Sequence, residues 1–165
     1  MKILVFSDSH GSLYFMRQCI QKICPNVVIH LGDHYDDAET MAEEFSQIPF
    51  HMVAGNCDRY RCPPSAREML CYDICGVRLY MTHGHVLHVK SGIGGLIAEA
   101  RRYEAKAALY GHTHITDCQQ LEDGLWVCNP GSCGYGGRTA ALIEINEQKI
   151  IACRIINQAG LEEFV

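Results

Sequence analysis

No apolar run in this 165-residue chain approaches the ~20 residues that a membrane-crossing helix requires. The amino-terminal segment MKILVFSDSH carries one lysine and a short apolar run before serine and aspartate, too little for a secretory leader, so a cytoplasmic protein is expected. No lysine or arginine run forms a basic stripe. Arg101–Arg102 is the densest pair and the net charge is −5, which disfavours bulk nucleic-acid binding. An anionic substrate would need positive charge from another source. The ten cysteines contain no C-x-x-C pair, so neither a zinc ribbon nor a thioredoxin-type motif is supported. Without export a disulfide framework is not expected, and most of these cysteines read as small buried apolar residues, Cys57 excepted. Repeats, low-complexity tracts and linkers are also missing, and Pro63-Pro64 reads as a loop inside the domain. With 48% hydrophobic and 20% charged residues, the chain fits one soluble globular domain spanning 1–165.

What is present alternates. Residues 2–6 (KILVF) form a short apolar run typical of a buried strand. Leu13, Met16, Ile20 and Ile23 recur at helical spacing over 12–24, and Pro25 stops that helix. A second strand (27–31), a helix over 37–48 ended by Pro49, and a third strand (50–54) follow. Strand, helix, strand, helix, strand argues for a parallel sheet with right-handed crossovers. Residues 68–74 and 77–83 then read as a hairpin around Cys75-Gly76. Ser91 is placed to cap a helix over 92–105. Another strand starts at Ala107, and the carboxyl-terminal third reads as strand-rich and antiparallel.

The polar residues gather where strands end. They are Asp8 and His10 in SDSHG, Asp33 in GDH, Asn56, Cys57 and Asp58 in GNCD, His83 and His85 in THGH, and His112 and His114 in GHTH. Each motif alone has an ordinary reading as a helix cap or a satisfied core histidine. Their spacing, about one strand plus a return connection each, predicts that all emerge on one sheet edge at the strand carboxyl ends, where open α/β sheets bind ligands. Imidazoles, carboxylates and an amide oxygen suit Mn, Fe, Ni, Zn or Co. Seven such groups exceed the needs of one ion and suit two divalent ions sharing a carboxylate.

In this order, D-x-H, G-D, G-N-C-D, a histidine after a strand and G-H-x-H resemble the calcineurin-like metallophosphoesterase superfamily, and the short length and GNCD resemble its small YfcE-type phosphodiesterase branch. The likeness runs from Met1 to about Ile145. It implies an α/β fold of two facing mixed β-sheets flanked by helices in a four-layer sandwich. It implies one ion on Asp8, His10, Asp33 and His114 and a second on Asp33, Asn56, His83 and His112, with Asp33 shared. It also implies two divalent metals, manganese foremost, and a hydroxide held between them for in-line attack on a small phosphodiester or other phosphate ester.

Much of that superfamily has histidine at the position of Cys57, a residue thought to assist leaving-group departure. The general acid is therefore open, with His85 the nearest spare group. Asp58 is read either as a carboxylate that orients His83 or its neighbours or as a plain turn residue. His34, Asp36 and Asp37 either rim the cleft or begin the next helix, the helix being preferred; Arg138 either meets a substrate phosphate or lies in an ordinary glycine-rich loop after NPGS, the loop being preferred; His30, His51 and His88 are read as structural. Two other functions share this fold: a phosphomonoesterase or nucleotide hydrolase, and a non-catalytic scaffold like the retromer subunit. A homo-oligomer is allowed for.

Overall fold

The first strand, β1 (Lys2–Phe6), is apolar on both faces, and the architecture explains why. In the structure, a computed structural model that describes residues 1–164, β1 lies central in a five-stranded sheet and is covered on both sides. Its neighbours are β2 (Val27–His30), parallel to it, and β9 (Ala140–Asn146), antiparallel. β3 (Phe50–Met52) extends the parallel side and β10 (Lys149–Ile156) the antiparallel side, giving the order β10-β9-β1-β2-β3. A second sheet has the order β4-β5-β6-β8-β7. Here β4 (Met69–Ile74) and β5 (Val77–Thr82) form the expected hairpin, and β5, β6 (Ala107–Leu109) and β8 (Trp126–Asn129) run parallel. The edge strand β7 (Asp117–Gln120) is antiparallel to β8.

The sheets meet face to face. Ile3, Val5, Val27, Ile29 and Ile143 of the first pack against Val77, Leu79, Met81, Leu109 and Cys128 of the second. The opposite face of the first sheet, with Leu4, Phe6, Val28 and Leu142, is covered by α1 (Tyr14–Ile23), which buries Phe15, Met16, Cys19, Ile20 and Ile23. Each large apolar side chain in that stripe contributes about 1.5–3 kcal/mol of transfer free energy. Met41 of α2 (Tyr35–Glu44) and Leu161 of α4 (Gln158–Leu161) complete that layer. Outside the second sheet, Tyr80, Ala108 and Val127 pack on Leu96 and Ala100 of α3 (Gly94–Arg102). The result is the helix–sheet–sheet–helix sandwich that the resemblance implied.

Several local expectations shift. The five motif-bearing strands belong to two sheets, not to one edge of a single sheet. The carboxyl-terminal third is mixed, because β8 runs parallel to β6. α2 begins at Tyr35 and ends at Glu44, and residues after it turn back before Pro49. Ser91 caps no helix. It ends a 3-10 turn, and α3 starts at Gly94 after Ile93 without a side-chain cap. Of the ten cysteines only Cys19, Cys128 and Cys133 are buried. Cys24 and Cys75 are exposed because both sit at left-handed turn positions, after α1 and between β4 and β5.

Candidate metal centre

The loops after β1, β2, β3, β5 and β6 open at the same end of the sandwich. Their backbones are tightly constrained. Asp8, His10, Asp33, His34, His112 and His114 all have φ between 46° and 69°, the left-handed region that non-glycine residues rarely occupy. Such strain persists only where the surroundings over-determine it, and it concentrates at functional sites. The loops also approach closely. A Cβ on Gly55 would collide with the Asp33 carboxylate, and one on Gly111 would collide with Ser7 Oγ and reach 2.9 Å from Asp8 Oδ2.

Asp8 is wholly buried. Its Oδ2 accepts hydrogen bonds from Ser7 Oγ (2.6 Å) and from the His112 N–H (3.1 Å). Its Oδ1 is buried without any hydrogen-bond partner. That bare oxygen lies 3.1 Å from His114 Nε2 and 4.0 Å from His10 Nε2, and the two ring nitrogens are 3.4 Å apart. An orphaned carboxylate oxygen beside two imidazoles costs on the order of 1–3 kcal/mol unless a cation satisfies it. Asp8, His10 and His114 thus bring three donor atoms within 4.8 Å of one another.

A second set adjoins the first. Asp8, Asp33 and His83 likewise converge within 4.8 Å. His83 is buried, and its Nδ1 lies 2.8 Å from the Leu31 carbonyl. Donating there leaves Nε2 of the neutral ring as a lone pair, the usual way a protein orients a ligating imidazole. Around that lone pair stand Asn56 Oδ1 at 3.1 Å and Asp33 Oδ1 at 3.5 Å. Three acceptors facing one another fit a cation. The His112 ring lies 5.0 Å from that of His83, centroid to centroid. The seven strand-end residues thus lie around these two groups, Asp8 being the residue common to both, with Asn56 and His112 beside His83.

The protonation states suit metal binding. Burial opposes the charge on Asp33, but His83, the Cys57 N–H at 2.9 Å and His10 outweigh it and hold the carboxyl below its ordinary pKa. Burial lowers His10, and burial together with His83 lowers His112 to about 4. Both rings are neutral near pH 7 and have a lone pair to offer.

The three residues read as catalytic occupy different places. Cys57 is exposed beside Asp33, and burial of the sulfur, then the Asp33 carboxylate, raise its thiol to about 11. It is a protonated and weak acid at neutral pH. His85 sits 5.4 Å from His83 and 6.2 Å from His112 by ring centroids. Its Nε2 lies 3.4 Å from Glu68 and its buried Nδ1 has no partner. It lines an open cleft of about 790 Å³ together with Asn56, Arg59 and Arg67. Asp58 does not hold His83. Wholly buried, it accepts the N–H groups of Asp33 (2.9 Å), Tyr35 (2.9 Å) and Gly55 (2.7 Å), and so ties the loop after β2 to the loop after β3.

Other supports are missed by reading motifs alone. Ser132 Oγ donates to the Asp8 carbonyl at 2.7 Å, and the Asn129 amide donates to Gly111 and Thr113, so NPGS braces both the Asp8 and the His112 loops. Ser9 Oγ and the Gly11 N–H both donate to Asp37 Oδ2 at 2.7 Å, and the buried His30 stands 3.2 Å from Ser9. Asp36 and Asp37 do open α2, as expected. His34 precedes it with its ring 5.2 Å from that of His10. Arg138 lies in the exposed loop before β9. His51 packs against Tyr72 and His88 forms a turn.

Residues 1–148 match the family model of the calcineurin-like phosphoesterase superfamily domain. A probable metallophosphoesterase of Mycoplasma pneumoniae is 31% identical over 134 residues, 79% of this chain and 78% of the relative. A protein of Methanocaldococcus jannaschii named as a phosphodiesterase is 28% identical over 157 residues, 82% of this chain and 86% of the relative. Among solved structures, a Streptococcus pneumoniae protein described as a predicted phosphoesterase superposes with a TM-score of 0.78 at 24% identity, covering 96% of this chain and 90% of that one. Vps29 of Entamoeba histolytica in complex with zinc superposes with a TM-score of 0.69 at 18% identity, covering 95% and 99%. At such identities the solved structures speak for the fold alone.

Proposed function

Because the chain belongs to the calcineurin-like phosphoesterase superfamily, with residues 1–148 matching its domain, we propose that it is a dinuclear metal-dependent phosphodiesterase of the cytoplasm, acting as one domain on small phosphodiesters. The observation that carries this reading is the buried, unpartnered Asp8 Oδ1 at the meeting point of the two donor groups. One ion would be held by Asp8, His10, Asp33 and His114, the other by Asp33, Asn56, His83 and His112. Bound in these positions, two divalent cations, manganese first among the candidates, would supply Lewis acidity for activating water and offsetting charge on phosphoryl oxygens.

The chain itself does the positioning. The Leu31 carbonyl and Asp58 fix His83 and the Asp33 and Asn56 loops before substrate arrives. Such preorganisation makes electrostatic stabilisation effective. Arg59 and Arg67 in the cleft beside Asn56, set against Glu68 and Asp58, offer guanidinium groups to the non-reacting side of a phosphodiester. With a weakly acidic thiol at Cys57, proton delivery to a poor leaving group is limited, which favours diesters with acidic leaving groups over alkyl monoesters. His85 is the remaining imidazole facing the cleft and the candidate proton donor.

The test is manganese-loaded protein assayed on bis-p-nitrophenyl phosphate and p-nitrophenyl phosphate, with metal content measured in parallel. About two ions per chain and preferential diester turnover are expected. Two ions without turnover of either ester would replace this reading with the scaffold one, which shares the fold seen in Vps29. Fewer than about one ion per chain would remove the metal centre altogether.

A further inference from the structure

Three thiols that lie far apart in the sequence meet away from the strand-end centre. Cys118 on β7, Cys128 on β8 and Cys153 on β10 place their sulfurs within 4.8 Å of one another. Cys118 and Cys128 are directly opposed across the antiparallel β7–β8 pair. Cys153 belongs to the other sheet and reaches across the interface, its Sγ 3.3 Å from that of Cys118. The three sit in the apolar cluster between the sheets, with Trp126, Ile155 and Leu109 in the same cluster. Cys128 is fully buried, whereas Cys118 and Cys153 are half-buried.

The structure assigns a second metal site to this cluster: Cys118, Cys128 and Cys153 form a three-sulfur pocket for one soft monovalent cation, Cu(I). The donor set selects the ion. Thiolate sulfur suits soft cations such as Cu(I), whereas oxygen and imidazole donors serve manganese, and among the described residues no imidazole or carboxylate joins this group. Structural zinc takes four ligands in a tetrahedron, and three sulfurs leave it one short. Cu(I) is content with three. Each thiol that binds releases its proton to solvent and no electron changes hands. This site does not depend on the phosphodiesterase reading, because none of its residues belongs to the strand-end centre.

The test uses the full chain, first loaded with excess Mn(II) to fill oxygen and imidazole sites, then titrated anaerobically with Cu(I) against a chromogenic Cu(I) chelator. One Cu(I) per chain should be withdrawn from the chelator, with a thiolate-to-copper charge-transfer band. Cys118→Ser should weaken retention at least tenfold, and the Cys118→Ser/Cys153→Ser pair should abolish the band. X-ray absorption of the wild-type complex, which needs no variant, should show sulfur scatterers only. No copper retained, equal retention by the double variant, or nitrogen and oxygen scatterers would each overturn the assignment. So would a Cys118–Cys153 disulfide that survives reductant and leaves no pair of thiols to bind.

Discussion

Asp58 shows how much a single side chain decides. One buried carboxylate takes three backbone N–H groups from two loops that carry Asp33 and Asn56. Replacing it with alanine leaves those donors unsatisfied in a closed space, at on the order of 3 kcal/mol. Asp58→Ala should lower the urea midpoint at unchanged m-value and loosen metal retention as well. A loss under about 1 kcal/mol would mean the loops hold themselves. Sequence spacing marks Asp58 as part of GNCD but not its partners, because backbone N–H groups have no letter in a sequence. Cys57 is a sharper test of chemistry. Its thiol, raised to about 11, is a poor proton donor. Cys57→His should raise monoester turnover relative to diester turnover by about tenfold or more, since a positioned general acid contributes roughly 10²–10⁴-fold. An unchanged ratio would mean that residue 57 plays no part in leaving-group departure.

At the scale of elements, the central strands and α1 were legible to within a residue or two, and α2 and α3 less so. KILVF and VVIH announce themselves by the apolar runs Ile3–Phe6 and Val27–Ile29, because both faces of their sheet are covered. α2 misleads at both ends. Phe45 and Ile48 keep helical spacing and pack against the core, yet they do so from a turn after the helix. Ser91 resembles a cap but lies in a 3-10 turn, since the chain after His83 coils twice before α3 begins. The glycine next to the first histidine of GHTH is the element-level feature with the largest consequence. Gly111→Ala would drive a Cβ into Ser7 and towards Asp8, displacing the carboxylate that both donor groups share. Overpacking of this kind costs about 1–3 kcal/mol, and metal content per chain should fall with it. Gly94→Ala, at the start of α3 with open space around it, is the control and should be neutral or slightly stabilising. Equal metal content in the two variants would contradict the close approach of the β1 and β6 loops.

The whole molecule brings together what no local pattern could. Two sheets are needed to gather the site, and the same stacking makes a thiol cluster from residues 118, 128 and 153, whose spacing matches no metal motif. It also buries His30 completely, between the loop carrying Asp8 and the loop carrying Asp33. With the Gly32 N–H donating to Nδ1, the ring is neutral and Nε2–H faces Ser9, whose hydroxyl donates to Asp37. Burial lowers its pKa to about 4, partly offset by Asp8, Asp58 and Asp37. Unfolded, the ring titrates near its ordinary value of 6.5. Between those values the unfolded chain binds the extra proton and the native one does not, so stability rises with pH across that window. The contribution is complete above about pH 6.5 and is lost as pH falls to about 4, on the order of 3 kcal/mol in all. The metal-free protein should therefore show a falling urea midpoint from about pH 7 to about pH 4.5. His30→Asn, which keeps an acceptor near Gly32 without the titration, should be less stable at neutral pH and should flatten that slope. A variant with the wild-type slope would assign the acid sensitivity to other groups, His112 first among them, since burial lowers it to about 4 as well.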